Sequence, residues 1–155
     1  MNGRPDAGLE VALEQRRRLL EEAQQVLSER ERRVQREAAT LAAWEQQVRA
    51  VLEQIDSAQQ PAADRPLNVV TLSDLERLLL RCEEQVHRQN EQLAVVRADA
   101  DKARGGVATA HQQVRVLELV LENRAAARAE ARRRAEQRET DETAARVHAR
   151  GLVRR

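Results

Sequence analysis

Aromatic residues are almost missing from this 155-residue chain, which has no Phe, no Tyr and a single Trp, Trp44. Compact domains draw much of their buried area from aromatic side chains. The shortage therefore argues against a compact α/β or all-β domain. Glycine and proline are scarce as well, five and three in all, leaving little material for turns. The lone cysteine, Cys82, excludes an internal disulfide and fits a reducing compartment. No apolar run approaches the roughly 20 residues of a membrane helix, and no apolar stretch of a secretory signal follows Met1. Charge of one sign is lacking too. The 27 basic and 26 acidic residues leave a net charge of +1, so the chain as a whole is no polycation built for nucleic acid.

What is present is Ala, Leu, Val, Glu and Arg in a regular order. Charged residues make up 34% of the chain, a composition typical of coiled coils and long helices. Leu13, Leu20, Leu27, Val34, Leu41, Val48 and Ile55 recur every seven residues. Leu9, Arg16, Ala23, Arg30, Glu37, Trp44 and Val51 run beside them. A second series, Leu72, Leu79, Val86, Leu93, Ala100, Val107, Val114 and Leu121, is equally unbroken. Its companions are Leu75, Cys82, Gln89, Val96, Ala103, Ala110 and Leu117. Alternating steps of three and four sustained this long predict a left-handed coiled coil.

Pro61 and Pro66 interrupt the pattern, and a proline normally ends a helix. The spacing predicts a disordered start at 1–6, helix 1 over 7–57, a loop over 58–70 and helix 2 over 71–150. Thr71 with Asp74, or Ser73 with Glu76, would cap helix 2, and Gly151 would stop it before a tail at 151–155. Two seams of matched length joined by one loop predict an all-α fold, an antiparallel hairpin with residues summing to about 127–130 opposed; the alternative pairs each helix with another chain. The loop-proximal seam carries the larger side chains. The other half carries Arg16, Arg30 and Glu37 against Gln89, Ala100, Ala103 and Ala110. Gly105-Gly106 reads either as a tolerated defect on the outer face or as a hinge or close-packing notch.

The character changes after Leu121. Residues 122–155 hold ten Arg and six acids, and no seam residue of helix 1 remains to cover them. A basic helical overhang over 122–150 follows. Catalytic chemistry is not visible. His87, His111 and His148 are far apart, no Cys or second His stands at metal-ligand spacing, and no phosphate-cradling glycine loop exists. The chain therefore reads as a non-enzyme with no cofactor and no metal. Cys82 falls on the seam as a small apolar group. The tail is basic but interrupted by acids and has no aromatic to stack on a base, so nucleic acid is not the expected partner. Neither is a membrane, which needs a bulkier apolar face.

The order of the tail points further. Arg134-Ala135-Glu136-Gln137-Arg138-Glu139-Thr140-Asp141-Glu142-Thr143-Ala144-Ala145-Arg146 resembles the C-terminal segment of the FliJ/YscO family, coiled-coil stalk proteins of flagellar and virulence type III export apparatus. Glu136-Gln137-Arg138-Glu139 and Asp141-Glu142 carry the likeness. Thr143 departs from it, standing where members often have a bulky apolar residue. The resemblance implies an antiparallel hairpin whose joined termini enter a hexameric secretion ATPase, touch the cytoplasmic domain of the export gate and escort export chaperones. It implies a cytoplasmic location at the base of the membrane apparatus. Arg128, Arg132, Arg133, Arg134 and Arg138 are the candidates for acidic pore loops, with Gln137, Asp141, Glu142 and Arg146 as further partner-binding positions. With no flagellar feature after Pro66, the reading leans to a virulence system. The alternatives are a coiled-coil adaptor or scaffold and a nucleic-acid-binding coiled-coil arm.

Overall fold

The computed structural model describes residues 5–60 and 66–153. Two long helices pack against each other, and no strand occurs among the described residues. Helix α1 spans Ala7–Gln59 and helix α2 spans Val69–Val153. Parts of the expected disordered start, loop and tail, at 1–4, 61–65 and 154–155, lie outside the described residues.

The start of α2 differs from expectation. The cap is Asn68 rather than Thr71 or Ser73. The Asn68 side-chain oxygen accepts a hydrogen bond from the Thr71 amide at 3.2 Å, and its carbonyl accepts one from the Leu72 amide at 3.0 Å. Asn is among the best capping residues because its short carboxamide closes an otherwise orphaned amide. Val69 and Val70 thereby join the helix. The far end also differs. Gly151 lies inside α2 and has no positive φ, so it does not make the left-handed turn by which a glycine ends a helix.

By contacts the chain divides into two units, residues 1–20 with 109–155 and residues 21–108. In the second unit the helices run antiparallel. Glu37 faces Gln89, and Glu31 faces Arg104, so numbers fall along α1 as they rise along α2. The core is one seam of heptad positions. Val51, Cys82, Leu93, Val96 and Ala100 are buried. Leu27, Val34, Leu41, Trp44, Val48, Ile55, Leu72, Leu75, Leu79 and Val86 are half-buried. Buried positions occur in both halves of the unit, Val51 and Cys82 in the loop-proximal half and Leu93, Val96 and Ala100 beyond Gln89.

The polar seam residues of this unit answer one another. Gln89 Nε2 donates to the Glu37 backbone carbonyl at 3.1 Å and to its carboxylate at 2.6 Å. A part-buried amide is costly without partners, so this pair holds the register at that level. Arg30 is exposed. Gly105 and Gly106 are helical and exposed, and a Cβ built on either meets nothing within 4 Å. A close-packing notch is thus not what these glycines provide.

The first unit repeats the antiparallel seam. Leu13 and Val114 are buried, and Leu9, Leu20, Ala110, Leu117 and Leu121 are half-buried. Arg16, expected on the seam, is exposed and donates to the Gln113 side chain at 2.8 Å. A guanidinium swings out on its long stem to keep its charge in water.

A candidate partner-binding arm

The first unit contains the basic segment, and its structure depends on where α1 begins. Asp6 is the N-cap of α1, its carbonyl accepting the Glu10 amide at 2.9 Å. Its carboxylate turns to the other helix. Arg124 Nη1 lies 3.2 Å from Oδ1, and Arg128 Nη1 lies 2.5 Å from Oδ2. Asp6 is only 6% exposed, the one buried polar residue among those described. Burial by itself would raise this carboxyl. The hydrogen bonds and charges of Arg124 and Arg128 outweigh it and hold the carboxyl below its ordinary value. One turn of α2 separates the two arginines, so both point to the same side.

A second ion pair lies deeper in the unit. Arg17 meets Glu118 at 2.8 Å, and Arg115 meets the other carboxylate oxygen at 3.5 Å. The Arg17 hydrogen bond is the main cause that holds Glu118 below the usual glutamate value, against the effect of desolvation.

The expected overhang from residue 122 is exposed apart from half-buried Glu130, but its first turns are not free of α1. Asp6 reaches Arg124 and Arg128, so the start of α1 holds α2 at that level. Beyond half-buried Glu130, every residue from 131 to 151 is exposed. Within this arm the polar contacts are local. Arg133 and Arg134 both pair with Glu130. Gln137 donates to Asp141 at 2.8 Å, and Arg146 pairs with Glu142 at 3.5 Å. Arg132 and Arg138 have no ion-pair partner among the described residues. Thr140 and Thr143 return their hydroxyls to the carbonyls of Glu136 and Glu139 at 2.9 and 2.8 Å. They thus present methyl groups and spent hydroxyls, not free donors. Val147, 66% exposed, is the large apolar residue of the same strip, beside Thr140, Thr143 and Ala144.

Of the expected partner-binding residues, Arg128 is drawn to Asp6, whereas Arg132, Arg133, Arg134, Gln137, Arg138, Asp141, Glu142 and Arg146 stand along the exposed arm. Asp6 was expected in the disordered start and Arg124 in the overhang, neither with a binding role, whereas Asp6 is an ordered, buried helix cap. The opposed-pair sum was the usable signal, because Asp6 and Arg124 satisfy it. Among the described residues no group of three or more His, Cys, Asp or Glu is placed to hold a metal ion. No helix among them is long and apolar enough to cross a membrane.

Comparison with known families matches the model of the flagellar FliJ protein over residues 6–152. The chain belongs to the FliJ family. The match begins at Asp6 and runs through both units and the whole described arm, so this FliJ-family chain is a component of the flagellar export apparatus. The family that matches is described as flagellar, which lends no support to the lean toward a virulence system. No curated protein and no solved structure matches this FliJ-family chain.

Proposed function

We propose that this FliJ-family chain is the central stalk of the export ATPase, with its arm inside the hexameric ring and the rest of the hairpin directed to the cytoplasmic domain of the export gate. The observation that carries the reading is the arm. From 131 to 151 it is a helix with every residue exposed and only local polar contacts. Such a segment needs no unfolding to meet a partner, and it gives up no tertiary packing when it does.

The chemistry of the arm suits a shaft more than a lock. Its charges are exposed pairs one turn apart, each contributing roughly 0.3–0.5 kcal/mol. Arg133, Arg134 and Arg146 can exchange their local acids for those of a pore loop at little net cost. Arg132 and Arg138 have no such pair to break. Small Ala residues and two spent Thr hydroxyls keep the surface thin and weakly adhesive. Contacts of this kind are many and shallow, as an asymmetric helix turning within a sixfold ring requires. Export chaperones are further partners of the same surface, and the location is cytoplasmic, at the base of the membrane apparatus.

The test is charge reversal of Arg132, Arg133 and Arg134 together, measured as binding to the purified ATPase ring. Binding should weaken, and the loss should be larger at low salt, where exposed charges are least screened. Unchanged binding at low salt would refute the role given to these arginines.

A further inference from the structure

Asp6 is an unusual acid for this chain. In the other ion pairs the carboxylate side chain is between 27% and 70% exposed, whereas that of Asp6 is 7% exposed. It is held by two arginines that are themselves still 54% and 43% exposed. A guanidinium has five N–H donors in a planar fork. Each of these two directs one terminal nitrogen at Asp6. Neither has another ion-pair partner among the described residues, and both stand at the level where α1 begins.

We infer that Arg124 and Arg128 form a carboxylate-binding fork that Asp6 fills in the free chain, and that an acidic side chain of a partner replaces Asp6 when the arm is engaged. Three features support the exchange. First, Arg124 and Arg128 stand one turn apart on a continuous helix and keep their spacing whether or not Asp6 is there. Second, Asp6 sits at the very start of α1, preceded by Pro5. Its displacement disturbs one cap, and Leu9 and Leu13 remain on the seam. Third, the fork adjoins the arginines of the arm, so an acidic segment bound along the arm reaches it without a gap. The occupant is thus an acidic peptide segment. Asp6 acts as a built-in competitor that lowers the affinity of the resting chain. The inference rests on the stalk reading for the identity of the partner as a pore loop, but the fork itself can be tested without a ring.

The probe is a soluble oligo-glutamate peptide, titrated at low salt against the full chain and its variants, with helicity followed by circular dichroism. Asp6→Asn should tighten peptide binding by about two- to fivefold, because the two guanidinium groups it releases are half exposed and their charge is already partly solvated. In the Arg124→Gln/Arg128→Gln background the same Asp6 substitution should have no effect, because the site it uncovers is gone. Glu10→Gln removes a neighbouring exposed acid with no arginine partner and should leave the affinity within error. Equal affinity of Asp6→Asn and the parent chain would overturn the inference. So would a gain that persists undiminished in the double-glutamine background, since that gain would come from net charge alone. Ring binding of the arm is a separate measurement, so its failure would count against the stalk and leave the fork standing.

Discussion

Replacing Gly105 and Gly106 with alanine should stabilise the protein. Both residues lie within α2, on its exposed side, and neither has a positive φ. An added Cβ at either site meets nothing within 4 Å, so no packing cost opposes the change. What remains is backbone entropy. A glycine in a helix interior is about 0.8–1.0 kcal/mol worse than alanine, which gives about 1.6–2 kcal/mol for the pair. In a chain of this size 1 kcal/mol corresponds to about 2–4 °C in Tm, so the double variant should melt about 3–8 °C higher. Circular dichroism at 222 nm follows the melt, and urea titration gives the free energy independently. Amide exchange around residue 105 should slow in parallel, because local opening of the helix becomes less favourable. A Tm that stays level or falls would refute the reasoning. It would mean that the glycine pair supplies a contact or bend that the continuous helix does not contain.

Two further perturbations probe the seam and the termini. Leu93→Ala should cost about 2–5 kcal/mol because Leu93 is 3% exposed, whereas half-buried Leu79 should cost less and Leu80→Ala, on the outer face, should stay within about 0.5 kcal/mol; equal chemical-denaturation midpoints for Leu93→Ala and Leu80→Ala would contradict the seam. Acid should weaken the first unit. Asp6 and Glu118 both have lowered pKa values in the folded chain, so their stabilisation is present above the unfolded carboxyl range and is lost as pH falls through the folded values. Asp6→Asn should flatten part of the decline in Tm below about pH 4, and an unchanged acid profile would show that the clamp does not contribute.

The helices and their seam were legible because a heptad repeat is a local pattern that two-helix packing reads directly. Every seam position of both series came out buried or half-buried except Arg16 and Arg30. Those two are the residues whose long, charged side chains can leave a seam. Helix ends were less legible because one side chain decides them. Thr71 and Ser73 looked like caps, but Asn68, three residues before Thr71, closed its amide first. Gly151 resembled a stop, yet a glycine stops a helix only when it turns left-handed, and its helical φ is equally open to it. The candidate site was half legible. The residue order of 134–146 marked the arm, and its local i,i+4 pairs follow from spacing. The Asp6 clamp joins residues 118 apart through one carboxylate; Asp6, Arg124 and Arg128 each continue a heptad series by one step, but as charged residues they break its apolar pattern and so do not read as seam. The consequence of the clamp is that α1 still holds the first turns of the exposed segment, at Arg124 and Arg128.

The central claim is that the exposed arm acts on the ATPase ring. The most direct measurement compares the full chain with a chain ending at residue 136, recording ATPase stimulation of the purified ring beside circular dichroism of each chain. All seam residues and the Asp6 clamp precede position 136, so the truncated chain should keep its hairpin and its melting behaviour. It should lose stimulation of the ring. A folded truncation that stimulates the ATPase as well as the full chain would contradict the account and remove the arm from the mechanism.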